Sequence, residues 1–130
     1  MFGNWSGPAE AASVGRLRNA LAEFAADGGL TGLRLSDVRT CVSEAVTNAV
    51  VHGYRDGRQP RTINVSGELG EDDLMVTVSD DGAGFAPRLD SPGLGLGLPM
   101  ISALTSSMSI LASASGGTEV CMAFRLAGAR

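Results

Sequence analysis

Two pairs of alternating segments, each split by a short glycine-containing turn, constrain the fold of this chain more than any other feature. Arg61 to Leu69 and Asp73 to Ser79 alternate with the two-residue period of a strand, and Gly70 to Asp72 between them suits a hairpin. Met108 to Ala114 and Thr118 to Leu126 repeat the arrangement around Gly116 and Gly117. Strands joined in this way pair antiparallel, and a sheet with one apolar face needs a cover.

Three helical segments can supply that cover. From Pro8 to about Asp27, Ala12, Leu17, Leu21 and Phe24 recur near helical spacing, with Pro8 suited to the first turn and Gly28-Gly29 to the stop. Ser36 is suited to cap a second helix running to about His52, where Gly53 would end it. Pro99 fits the first turn of a third helix ending near Ser107. The glycine-rich stretch Gly82 to Gly97, with Pro87 and Pro92, reads as loop. The expected order is helix, helix, strand, strand, helix, strand, strand. This is an α+β two-layer sandwich, a mixed and mainly antiparallel sheet with helices on one face. Its 130 residues fit one domain, 1–130, and no repeat or long linker divides them.

Composition removes several classes of function. Every basic residue is Arg, so a P-loop, a eukaryotic-type protein kinase and Schiff-base chemistry are excluded, since each requires Lys. The net charge of −4 offers nothing to neutralise a phosphate backbone, which argues against direct nucleic-acid binding. No apolar run approaches the ~18–20 residues that cross a bilayer, and Met1 to Trp5 lack signal-peptide character, so a cytoplasmic protein with no membrane partner is expected. Cys41 and Cys121 lie far apart without a CxxC or Cys/His cluster and read as reduced packing residues.

The second helix carries a polar stripe on an otherwise small and apolar surface. Glu44, Asn48 and His52 are spaced four apart, among Cys41, Val42, Ala45, Val46, Ala49 and Val50. A solvated helix face is one reading. A site is the other, and the apolar neighbours favour it, because a carboxylate and an amide on a largely buried helix are costly without partners. Asn48 could offer its carboxamide oxygen to Mg²⁺, which takes few protein ligands, one turn from a base at Glu44. His52 suits a helix cap or a packing role better than a ligand.

Two glycine motifs follow. Ser79-Asp80-Asp81-Gly82-Ala83-Gly84-Phe85 closes a strand, where an Asp can accept from an exocyclic amino group such as that of adenine and glycines let the backbone pass close to a flat base. Gly93-Leu94-Gly95-Leu96-Gly97-Leu98-Pro99 lies directly before a helix, where exposed N–H groups suit phosphate. It is not the Rossmann fingerprint, since Leu98 stands at the last glycine position. Either motif alone could be an ordinary turn.

Together and in this order the motifs are far more specific. EAVTNAVVHGY, DDGAGF, GLGLGLP and GGTEV resemble the ATPase superfamily of gyrase, sensor histidine kinases and MutL, and the first looks like the bacterial anti-sigma-factor serine kinases. The resemblance covers about Leu17 to Leu126 and implies the histidine-kinase-like ATPase fold. It assigns Asp80 to the adenine amino group, Gly82 and Gly84 to base and sugar, and Thr118 to support of the Asp80 contact. Asn48 would ligate Mg²⁺ and Glu44 would be the general base. Gly93 opens the glycine loop, and the backbone of Gly95, Leu96 and Gly97 would hold the phosphates of ATP. Such kinases phosphorylate a Ser or Thr of an antagonist protein, typically sequester a sigma factor, and commonly form homodimers. Arg88 between the glycine motifs reads as a phosphate contact or, with more support, as a solvated charge.

Two departures accompany the resemblance. The lid from Phe85 to Pro92 is short, which favours an alternative function as a nucleotide-responsive binding module with little or no kinase activity. Only a few residues, Met1 to Gly7, precede the first helix, whereas relatives often begin with a strand that contributes to an edge or a dimer contact.

Overall fold

A computed structural model describes residues 1–55, 62–81, 97–112 and 117–126, with the backbone alone described at 52–55, 97 and 112. In chain order the elements are β1 (Phe2–Pro8), α1 (Ala11–Asp27), α2 (Gly32–Arg55), β2 (Thr62–Leu69), β3 (Asp73–Asp80), α3 (Gly97–Leu104), β4 (Ser107–Ala112) and β5 (Thr118–Arg125). The strands lie side by side in the order β1-β2-β3-β5-β4, and every neighbouring pair is antiparallel. The sheet expected to be mixed or mainly antiparallel is thus antiparallel throughout its described strands.

Strand alternation decides which face is covered. Ile63 and Val65 of β2, Leu74, Val76 and Val78 of β3, and Val120, Met122 and Phe124 of β5 are all buried at every second position. They form one core with Leu17 and Leu21 of α1, Val38, Val42 and Val46 of α2, and Leu98 and Ile101 of α3. Each such aliphatic side chain contributes roughly 1.5–3 kcal/mol on burial. The intervening residues Thr62, Asn64, Glu68, Met75 and Arg125 are exposed, so the helices occupy one face and the other is open. Cys41 is buried in the core as expected, whereas the half-buried Cys121 lies on the open face, its Sγ 3.9 Å from Thr77 Oγ1.

Four sequence expectations give way here. The segment ahead of the first helix is a strand after all: β1 pairs with β2 from Phe2–Glu68 to Pro8–Thr62 and forms an edge of the sheet. Its inward positions are Gly3, Trp5 and Gly7, so two of three carry no side chain and the apolar alternation that marks a strand is missing. Pro8 ends this strand instead of starting α1; on an edge strand its missing N–H leaves no ladder bond unmade. Helix α2 begins at Gly32, four residues before Ser36, and runs through Gly53 to Arg55. A glycine lowers helix propensity by only about 1 kcal/mol, less than packing of a long apolar face restores.

The turn between α1 and α2 does use glycine. Gly29 and Gly32 have φ of 106° and 59°, left-handed values that side chains with a Cβ rarely adopt. Gly28 N–H closes α1 onto the Phe24 and Ala25 carbonyls, both at 3.1 Å. The start of α2 is then tied to the end of β5, where Arg34 Nη1 donates to the Arg125 carbonyl. The first turn of α2 therefore lies at the Arg125 end of β5, and its later turns extend over the sheet toward the Thr118 end.

Candidate functional site

The Thr118 end of the sheet collects the described members of the polar constellation. Asp80 is the last residue of β3 and shares the inward parity of Val76 and Val78, so its half-buried side chain belongs to the helix-covered face. Thr118, the first residue of β5, is only 7% exposed. Ser79 pairs with Glu119, which places Asp80 and Thr118 one step further along the same two strands. The sequence separates these residues by a long glycine-rich insertion and a helix. The sheet brings them together.

Helix α2 contributes from above. Asn48 is 7% exposed, and Glu44, one turn earlier, is half-buried. The stripe is therefore not a solvated face at these two positions. Asn48 Nδ2 is a buried donor with no hydrogen-bond partner among the described residues. An unpaired buried amide costs about 1–3 kcal/mol, and such groups in a native fold call for a ligand or a bound water. The terminal amide torsion is soft, so the same side chain can turn either Nδ2 or Oδ1 toward an incoming group. A divalent cation that draws most of its shell from water and phosphate needs no more than this one amide oxygen from the protein. Among the described residues no group of three or more His, Cys, Asp or Glu side chains comes together to hold a metal.

Below Glu44, Cys41 has its thiol pKa pushed up to about 12, first by burial and then by the nearby negative charges of Asp37 and Glu44. It stays protonated and serves packing. Helix α3 opens at Gly97 and is anchored by the buried Leu98 and Ile101. Gly82, Gly84, Gly93, Gly95 and Leu96, together with Arg88 and the short segment Phe85 to Pro92, lie outside the described residues. The side chain of His52 does so too, although its backbone belongs to α2.

A feature not singled out from the sequence sits where β3 leaves the sheet. Beyond the pair Ile63–Asp80, Asp81 N–H donates to the Thr62 carbonyl at 3.4 Å. Thr62 N–H donates back to the carboxylate oxygen Oδ1 of Asp81 at 2.9 Å. The only sequence signal for this is the repeated Asp in Asp80-Asp81, with an acidic residue suited to local bonds with the backbone.

A buried amide on α2, with a carboxylate and a hydroxyl at the ends of neighbouring strands, is suited to bind a polar ligand with a flat donor-bearing ring. Comparison with known proteins agrees in kind. Residues 7–124 match the family model described as histidine kinase-like ATPase domain. The anti-sigma F factor of Clostridium novyi (strain NT) is 30% identical over 120 residues, covering 84% of this chain and 83% of the relative. The serine-protein kinase RsbW of Staphylococcus aureus (strain JH9) is 37% identical over 78 residues, 60% of this chain and 49% of that protein. Among solved structures, the RsbU and RsbW domains of Rv1364c from Mycobacterium tuberculosis superpose over 100% of this chain with a TM-score of 0.74 and 27% identity. This chain spans 34% of that longer one. No helix among the described residues is long and apolar enough to cross a membrane. The chain belongs to the histidine kinase-like ATPase domain family, within its branch of anti-sigma factors and serine-protein kinases.

Proposed function

We propose that this chain is an ATP-binding protein serine kinase of the anti-sigma-factor type, which binds a sigma factor and phosphorylates a serine of an antagonist protein. The observation that carries the reading is Asn48: a buried amide, one turn from Glu44, whose Nδ2 has no partner among the described residues. An amide kept unsatisfied at a cost is better explained by a ligand than by packing.

In this reading Asp80 accepts from the adenine amino group and Thr118 supports that contact. Gly82 and Gly84 border the base and sugar. Gly93 opens the loop whose backbone N–H groups at Gly95, Leu96 and Gly97 donate to the phosphates. Asn48 holds Mg²⁺, which supplies charge neutralisation on the phosphates in a chain without Lys. Glu44 accepts the proton of the attacking serine hydroxyl. The serine oxygen then bonds to the terminal phosphorus as the bond to ADP breaks.

Relatives named anti-sigma F factor and serine-protein kinase support a sigma factor and a phosphate-accepting protein as partners. An antagonist as that acceptor and action as one domain, 1–130, in the cytoplasm belong to the same proposal. A homodimer belongs to the proposal as well, with β1 at an edge of the sheet. The short segment from Phe85 to Pro92 favours a second reading, a nucleotide-responsive anti-sigma module with little phosphate transfer.

Calorimetric titration of Mg-ATP and ADP, with Asp80→Asn as control, tests the site. Binding that the control abolishes supports it, and the absence of binding in the intact protein would overturn both readings. Transfer of label from the terminal phosphate of ATP to an antagonist serine separates them. Transfer supports the kinase, whereas nucleotide-dependent sigma-factor affinity without transfer supports the module.

A further inference from the structure

We infer that Asp81 is a positioning residue for Asp80, and through it sets the base selectivity of the nucleotide site. The inference rests on the reading of Asp80 as the adenine contact. It starts from the last rung of the β2–β3 ladder. From Leu69–Leu74 to Ile63–Asp80 the pairing is regular. At the next rung the chain substitutes a side chain for a main-chain acceptor. Asp81 N–H donates to the Thr62 carbonyl at 3.4 Å, a stretched bond, while Thr62 N–H donates to Asp81 Oδ1 at the normal length of 2.9 Å.

This arrangement has a consequence for Asp80. It is the last residue of β3, where the regular ladder ends. An unfastened strand end frays, and fraying would let the Asp80 carboxylate swing by ångströms. Selective contact with one amino group requires placement within about 0.5 Å. The shorter of the two bonds that hold the rung beyond Asp80 comes from the Asp81 carboxylate. Asp81 itself is exposed, it follows the last residue of β3, and its carboxylate is engaged with Thr62 N–H. It therefore acts on the site through the backbone and not by touching the base.

The fastening reaches further than one pair of strands. Thr62 also pairs with Pro8 at the end of β1. One residue thus links the edge strand, the site strand and the Asp81 carboxylate, and Pro8 has no N–H to add to that rung.

The test compares ATP with inosine triphosphate, whose base lacks the exocyclic amino group but is otherwise close in shape. Intact protein, Asp81→Ala and Asp81→Asn are titrated with each nucleotide in Mg²⁺. The intact protein should prefer ATP by at least about tenfold. Asp81→Ala should lose about fivefold or more in ATP affinity while inosine triphosphate binding stays nearly constant, so that the preference narrows. Asp81→Asn, which retains an acceptor oxygen for Thr62 N–H, should restore the preference. A general loosening of the fold would weaken both nucleotides alike in Asp81→Ala, and that result overturns the positioning role. An unchanged preference in Asp81→Ala overturns it as well, while leaving the reading of Asp80 intact. If the intact protein binds ATP no better than inosine triphosphate, the Asp80 reading and this inference fail together.

Discussion

Gly3 and Gly67 face one another across β1 and β2, and the space their missing side chains leave is filled by aromatic rings. A Cβ on Gly3 would overlap the ring of Trp5, and one on Gly67 would lie 2.9 Å from Leu21 Cδ2 and 3.0 Å from Phe24 Cε2. Trp5 and Phe24 meet edge to face with centroids 5.6 Å apart. This cluster docks the edge strand on α1, because neither glycine alone offers apolar surface to hold it.

Gly67→Ala should therefore destabilise the protein through overpacking, by about 1–3 kcal/mol, although alanine favours the unfolded chain less than glycine does. Urea unfolding followed by the fluorescence of Trp5, the only tryptophan, measures it. A lower midpoint with an unchanged slope is expected. An unchanged midpoint would mean that Leu21 and Phe24 give way freely.

Asn48→Leu is expected to make the nucleotide-free protein more stable. It replaces an unpaired buried donor with an apolar group of similar size, which should return about 1–3 kcal/mol. The same variant should lose any rise in melting temperature on adding Mg-ATP. Thermal unfolding with and without nucleotide checks both. A less stable nucleotide-free variant would indicate that the amide is already satisfied.

Glu44→Gln tests the proposed base without removing the side chain's volume. Nucleotide binding should persist, while phosphate transfer to an antagonist serine should fall by about 10²- to 10⁴-fold. Transfer at the original rate would reassign the proton acceptor.

Alkaline pH provides a separate handle through Cys41. Its thiol is raised from 9.0 to about 12 in the fold, so between these values the folded chain retains a proton that the unfolded chain releases. Stability linked to this group is fully present below pH 9 and is lost as pH rises toward 12. Melting temperatures between pH 8 and 11 should fall less steeply for Cys41→Ala than for the intact protein, though from a lower starting value because of the cavity. At pH 8, iodoacetamide should modify Cys121 and leave Cys41 untouched until unfolding.

The parts of the fold written in apolar rhythm were readable in advance. Ile63, Val65, Leu74, Val76 and Val78 declare their face by alternation, and the strands on either side of each expected turn pair antiparallel. β1 was hidden because Gly3 and Gly7 leave its inward face blank and the complementary rings come from Trp5 and from a helix. The limits of α2 were misread because Ser36 and Gly53 are local signals, and a helix held by a long buried face runs past them. Glu44 and Asn48 were legible as a costly pair on an apolar helix, and the structure shows Asn48 buried with an unpaired donor. The approach of Asp80 to Thr118 depends on β5 entering the sheet between β3 and β4, a crossover that no local pattern encodes. The Asp81 fastening was equally invisible, since its partner, Thr62, is contributed by a different strand.

The hydrogen bonds at the two ends of the described chain carry one more implication. Leu69 N–H donates to the Met1 carbonyl at 2.8 Å, and Leu126 N–H donates to the Asp72 carbonyl at 2.9 Å, so both ends are moored to the β2–β3 turn. Asp80 is at the far end of an eight-residue strand, roughly 23 Å away at about 3.3 Å per residue. Met1 and Leu126, the first and last described residues, thus lie together at the pole away from Asp80 and Thr118, like two leads soldered to one side of a bead.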